Sequence, residues 1–215
     1  MPVRRRLTVL KDGTTESSGI VFCEAELRSV PASACETCPF LGSNSSAGDT
    51  VDCGLSALPI AGYGAVPSFP PAVAAALPVG LALGRQVVCL EDDLPWVDLT
   101  RALVLPAGPY GVPVVDHGGA LVGILPATAI AHAEWGASRD GVVCVADRAV
   151  SAASVHETES LSDAFTTMSV RRARELIVVS DGLQVVGVLR DVDALRFVAH
   201  IARTGSRPAP ELETC

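Results

Sequence analysis

Two hydrophobic rhythms alternate along the chain. Leu176 to Val179 is a β-branched run, Asp181-Gly182 is a two-residue turn signal, and Gln184 to Leu189 is a second apolar run, which together predict a β-hairpin. Val192, Leu195, Val198 and Ile201 then recur at every third position, so the spacing predicts a helix. Asp191 and Asp193 fall in the first turn of that helix. Two carboxylates thus stand where a strand hands over to a helix.

The pattern occurs twice. Val112-Pro113-Val114-Val115-Asp116-His117-Gly118-Gly119 followed by Leu121 to Leu125 aligns without a gap on Leu176 to Leu189, Gly123 falling on Gly187. Upstream, Leu94 matches Leu161 and Val88 matches Val155, with a slip absorbed by Pro106-Ala107-Gly108-Pro109 in the first copy. Each copy reads strand, helix, strand, turn, strand, helix. In the first copy Gln86 to Leu90 is the opening strand and Trp96, Leu99, Ala102 and Leu103 face inward from the helix. In the second, Ser160 with Asp163 is a capping pair for a helix whose Leu161, Ala164, Phe165 and Met168 face inward.

The cores VPVVDHGGALVGIL and LIVVSDGLQVVGVLRDVD resemble the cystathionine-β-synthase (CBS) domain, and their tandem arrangement resembles the paired Bateman module. The resemblance covers residues 79–203 and implies an α+β fold: two CBS units, each β-α-β-β-α, at 79–137 and 138–203, forming a pseudo-symmetric pair. It also implies a regulatory, non-enzymatic module that binds AMP, ATP or another adenosyl compound, and a homodimer formed through the CBS units. The family's ligand pattern is a small hydroxyl residue, two variable residues and an Asp that holds the ribose hydroxyls. Pro126 and Ala129 occupy those positions in the first copy and cannot make the contact, since neither has a polar side chain. In the second copy the positions are Arg190 and Asp193: Asp193 would accept from both ribose hydroxyls, while Arg190 would contact a phosphate or fill the pocket with its bulk. Val155 and Ile177 fall on strand positions that border the family's pocket. The alternative is a dimeric interaction scaffold whose two pockets are both degenerate.

Composition narrows the partners. The 215 residues are 49% hydrophobic but only 4% aromatic, so the core must be built from Val, Leu, Ile and Ala. A net charge of −8 and a pI near 4.9 argue against nucleic acid and against an anionic membrane surface. The N-terminus lacks the apolar stretch of a secretory signal, and the apolar stretch Pro71 to Gly84 is too short to span a bilayer, so the expectation is a soluble cytoplasmic protein.

Residues 1–60 form a loop-rich segment with short strands at Arg6 to Leu10 and Gly19 to Cys23. Cys23, Cys35, Cys38 and Cys53 crowd into it, with Cys35-Glu36-Thr37-Cys38 as a CxxC pair. Four thiols where little else can be buried fit a structural metal, most simply tetrahedral zinc. An iron–sulfur centre or a redox-active CxxC is the alternative, because the flanking cysteines stand singly. Some small bacterial proteins with paired CBS domains are similar here too, carrying a short cysteine cluster ahead of the module.

Residues 61–78 read as a Pro/Ala/Gly linker and 204–215 as a disordered tail. Gly62 and Gly64 are followed by prolines, not a helix start, and Lys11 is the only lysine, so no dinucleotide or Walker motif is present. Arg171, Arg172 and Arg174 sit at a helix C-terminus, where cations offset the dipole. His117, His132, His156 and His200 show no ligand spacing, and no catalytic motif is visible. The protein it would regulate is not identified by the sequence.

Overall fold

The computed structural model describes residues 3–23, 26, 28–38, 41–44, 51–53, 70–84, 86–99, 111–133 and 143–204. The N-terminal segment contributes β1 (Arg4–Val9), β2 (Thr15–Cys23), β3 (Arg28–Pro31), β4 (Leu41–Asn44) and β5 (Val51–Cys53), followed by α1 (Pro70–Ala76). The first unit contains β6 (Gln86–Glu91), β7 (Gly111–Val115), β8 (Leu121–Pro126) and α2 (Ala127–Ala133). The second contains β9 (Ser154–His156), α3 (Leu161–Arg171), β10 (Glu175–Val179), β11 (Val185–Arg190) and α4 (Asp191–Thr204). Ala102 and Leu103, expected on the first unit's helix, lie outside the described residues; Trp96–Asp98 is a short 3-10 turn.

Both repeats form the expected hairpins, and each has a register irregularity at the same place, between Val114 and Val115 and between Val178 and Val179. The turns are longer than the two residues read from Asp181-Gly182. Asp116 N–H donates to the Ala120 carbonyl and Ser180 N–H to the Gln184 carbonyl, each at 2.9 Å, enclosing three residues. The extra residue is possible because Gly119 (φ 82°), Gly182 (φ 72°) and Leu183 (φ 61°) enter the left-handed region. Asp116 secures the first turn by accepting the N–H groups of Gly118 and Ala120 at 2.8 Å.

The two units exchange their leading segments. Val79 and Gly80 donate to the carbonyls of Glu159 and Glu157, both at 2.8 Å, and Leu161 donates to Leu77 at 2.9 Å. The same three bonds recur in reverse: Val145 and Ala146 donate to Leu94 (2.9 Å) and Asp92 (3.0 Å), and Trp96 donates to Val143 (2.8 Å). The hairpin tips also meet, with Val185 N–H on the Gly119 carbonyl at 3.1 Å and Gln184 Nε2 on the Gly118 carbonyl at 2.7 Å. Between them Val87, Cys89, Val115, Ile177, Val179 and Val185 bury a seam made of both units. Separate cores lie under each unit, around Leu90, Leu99 and Leu125 in the first and Leu161, Leu176 and Ile201 in the second.

Two expectations are corrected. The N-terminal ribbon does not stand apart from the first unit: β1 pairs in parallel with β6, giving one six-stranded sheet in the order β3-β2-β1-β6-β7-β8. The linker reading fails from Pro70 onward, where α1 forms with its two prolines in the first turn, where a missing N–H costs nothing. Its Ala74 and Leu77 pack into the second unit's core. The expected helix α4 forms and buries Ala194, Phe197, Val198 and Ile201, a regular i, i+3, i+4, i+7 stripe, leaving Val192 and Leu195 exposed.

Candidate functional site

The strand-to-helix junction of the second unit gathers four charged side chains. β11 ends at Arg190 and α4 begins at Asp191, whose N–H donates to the Arg174 carbonyl at 3.0 Å and so fixes the turn to the start of β10. Arg190 and Asp193, three residues apart, pair with each other: the guanidinium Nε donates to Asp193 Oδ2. Arg196, one turn further, places Nη1 3.9 Å from Asp193 Oδ1. The carboxylate is 30% exposed and sits in the first turn of α4, where the helix dipole favours an anion. The junction therefore presents a hydroxyl acceptor flanked by two phosphate-competent guanidiniums.

Directly opposite Arg190 in the β10–β11 register is Glu175. Its side chain is buried and its Oε1 has no hydrogen-bond partner. Burial pushes its pKa up to about 7, against the pull of the Arg190 guanidinium. Pattern reading missed Glu175 because it opens an apolar run and looks like a strand boundary. Arg190 and Asp193 were read with separate ligand roles, and their pairing at i, i+3 is a finding of the structure.

Val155 and Ile177 are placed on adjacent parallel strands, but their side chains face inward. Val155 belongs to the second unit's core and Ile177 to the inter-unit seam. The Ile177 N–H is engaged by the Ala153 carbonyl at 2.9 Å. In the first unit Pro126 ends β8 and Ala129 lies in α2, so its junction offers neither acid nor guanidinium at these positions. Arg171, Arg172 and Arg174 are exposed, and Arg172 closes α3 in the left-handed conformation.

A second charged group was not legible in spacing. Buried Glu91, at the end of β6, meets His117 in the hairpin turn at 2.5 Å, and Asp93 lies 3.8 Å from the other ring nitrogen. The bond to Glu91 raises the His117 pKa. These three are the set, among the described residues, whose ligand atoms converge as a metal site requires. The second unit repeats the tie with its polarity exchanged, His156 lying 3.4 Å from Asp181. A tether between strand end and hairpin turn that survives inversion is a structural device, and Lys11 Nζ already stands 3.7 Å from Asp93.

In the N-terminal ribbon Cys23 ends β2, Cys35 lies in the 3-10 turn Ala32–Thr37 that Cys38 caps, and Cys53 ends β5. All four thiols are free. Burial raises the Cys35 pKa, and Cys23, Cys38 and Cys53 raise it further. The donor set suits zinc, and mutual repulsion among thiolates is what a cation would relieve. The sulfurs are nevertheless not drawn to ligand spacing: no three of them lie within 4.8 Å of one another. Cys89 is fully buried, its pKa pushed up to about 12, and is inert.

Residues 148–200, most of the second unit, match the CBS domain family. The first unit repeats its hairpin, its register irregularity and its exchanged leading segment, and the chain has the α+β fold of a CBS pair. No curated protein matches the sequence. Among solved structures, the CBS domain pair of protein MJ0100, in complex with 5′-methylthioadenosine and S-adenosyl-L-methionine, is 22% identical over 56% of this chain and 94% of its own, with a TM-score of 0.44. CBSX2 in complex with AMP is 19% identical over 58% and 97%, with a TM-score of 0.45. The CBS domain of a bacterial CNNM/CorC family Mg2+ transporter is 18% identical over 59% and 77%, with a TM-score of 0.46. Among the described residues no helix is long and apolar enough to cross a membrane.

Proposed function

We propose that the chain is a non-enzymatic regulatory module that binds an adenosine nucleotide or related adenosyl compound at the junction of the second unit alone. The observation that carries this reading is the partly exposed Asp193 carboxylate between Arg190 and Arg196. Asp193 would accept from the ribose hydroxyls and the guanidiniums would take phosphate, while Pro126 and Ala129 leave the first unit without an equivalent. Val155 and Ile177 would border the base through backbone groups, their side chains being committed to the core. A ligand acts here by favouring one arrangement of the exchanged units over another.

A homodimer through the CBS units is part of the proposal. Exposed Val192 and Leu195 form an apolar stripe on the outer face of α4 that a second copy would cover. The cytoplasm is the proposed location, and a protein under its control the proposed partner. For the ribbon, zinc held by Cys23, Cys35, Cys38 and Cys53 is proposed, reached by drawing the four sulfurs inward; an iron–sulfur centre is the less favoured occupant. Metal analysis tests it: about one zinc per chain, lost in Cys35→Ser, is expected, and metal-free protein with rapidly alkylated Cys35 and Cys38 would favour a redox CxxC.

Ligand binding is tested by thermal shift against AMP, ADP, ATP and S-adenosylmethionine. A compound at one hundred times its dissociation constant stabilises the fold by about 2.7 kcal/mol. Asp193→Ala is expected to abolish the shift. A shift that survives in Asp193→Ala places binding elsewhere, and no shift with any compound at millimolar concentration favours the scaffold with two degenerate pockets.

A further inference from the structure

The acid that would receive a ligand's ribose is already engaged: Arg190 Nε donates to Asp193 Oδ2. A diol arriving at that carboxylate must displace a charge-assisted bond, and the displaced guanidinium then needs another anion. One stands across the strand pair. Glu175 is the register partner of Arg190, its side chain is buried, and its Oε1 has no hydrogen-bond donor. Side chains directly opposite in an antiparallel pair lie on the same face with β-carbons about 5 Å apart, within easy reach of an arginine.

We propose that Glu175 is a positioning residue for the ligand site: it takes over Arg190 when a ligand's ribose engages Asp193 and no phosphate holds the guanidinium, so that the two acids share one guanidinium. The inference rests on the proposed function of Asp193. It goes further in assigning a role to a residue outside the family's ligand pattern, and in making occupancy depend on proton release.

The charge balance sets the direction. In the free protein Glu175 lies in an apolar setting and holds a proton near neutrality, with a pKa of about 7. Once Arg190 turns to it, the carboxyl ionises and one proton leaves to solvent. The other groups near it do not supply this exchange. Along β10 Glu175 shares the face of Ile177 and Val179, which packs on Val87, Cys89 and Val115 of the first unit, where the charged neighbour is Arg6 beside Cys89, a guanidinium and not an acid; α1, α3 and α4 pack on the other face, with Leu176 and Val178. Binding releases a proton, so affinity must rise with pH. If ionisation of Glu175 falls well below pH 6 in the complex, affinity increases about tenfold between pH 6 and pH 8.

The test titrates adenosine, which has no group of its own ionising in that range, into wild-type protein and Glu175→Gln by calorimetry at both pH values. About a tenfold gain in the wild type and a flat profile in Glu175→Gln are expected. Binding without the gain, or a gain that Glu175→Gln retains, overturns the inference and leaves the ligand site standing. Absence of binding at both pH values removes both readings together. A readout without ligand is the carboxyl carbon of Glu175 followed by NMR in Asp193→Ala, where Arg190 loses its acceptor. Its midpoint is expected to fall by more than one pH unit, and an unchanged midpoint overturns the sharing of Arg190 whatever adenosine does.

Discussion

Replacing Gly123 by alanine probes the exchange that joins the two units. A β-carbon built there would lie 2.8 Å from the Val150 carbonyl oxygen and 3.3 Å from the Ala149 side chain. The obstacle is backbone, and it is held: Ile124 and Val150 exchange both of their N–H to carbonyl bonds, each at 2.9 Å. Making room lengthens these bonds, worth about 1 kcal/mol each, and adds an overpacking cost of about 1–3 kcal/mol. Alanine recovers only about 0.5–1 kcal/mol over glycine in a strand, so a net loss of about 2–4 kcal/mol is expected. Gly187 is the repeat's equivalent, yet its added β-carbon meets only the tip of Leu83, Cδ1 at 2.8 Å, which can turn away for about 1 kcal/mol. Urea unfolding of both variants measures the difference as a shift in midpoint at constant slope. A loss for Gly187→Ala equal to or larger than that for Gly123→Ala would refute the exchanged packing.

Two further outcomes follow from buried and tethering charges. Glu157 is fully buried and accepts the Ser29 N–H at 2.7 Å and its hydroxyl at 2.5 Å, so Ser29→Ala should cost about 2 kcal/mol in chemical denaturation by leaving one carboxylate oxygen without its donor; a loss under about 0.5 kcal/mol would show that β3 is not latched to the second unit. His117 is held above the ordinary histidine range by its bond to Glu91. Its contribution to stability is therefore complete below the unfolded-state pKa and is lost as pH rises through the folded value. NMR titration should show its midpoint dropping in Glu91→Gln, and an unmoved midpoint would remove Glu91 as the cause.

What could be read from the chain alone was local. Val112 to Leu125 and Leu176 to Leu189 announce hairpins because alternating apolar runs and glycine turns act over a few residues, and the α+β CBS pair follows from their repetition. The parallel pairing of β1 with β6 joins residues some eighty positions apart and leaves no periodic trace. Pro70 and Pro71 disguised α1 as linker, since proline punctuates a sequence equally as a breaker and as a first helical residue. The three-residue rhythm of Val192, Leu195, Val198 and Ile201 announced α4, but a strict period of three drifts round a helix, so only Val198 and Ile201 join the core stripe, which is completed by the less conspicuous Ala194 and Phe197. At the site, Asp193 and Arg190 were visible by motif, whereas Glu175 became visible only when the strand register set it against Arg190. The cysteines were legible as a set; their distances to one another were not.

The central claim is one adenosyl site per chain, built on Asp193. Calorimetric titration of the best-binding nucleotide measures it directly through stoichiometry. One ligand per chain for the wild type and none for Asp193→Ala are expected, because Pro126 and Ala129 cannot form a second site. Two ligands per chain, or one that Asp193→Ala retains, would contradict it.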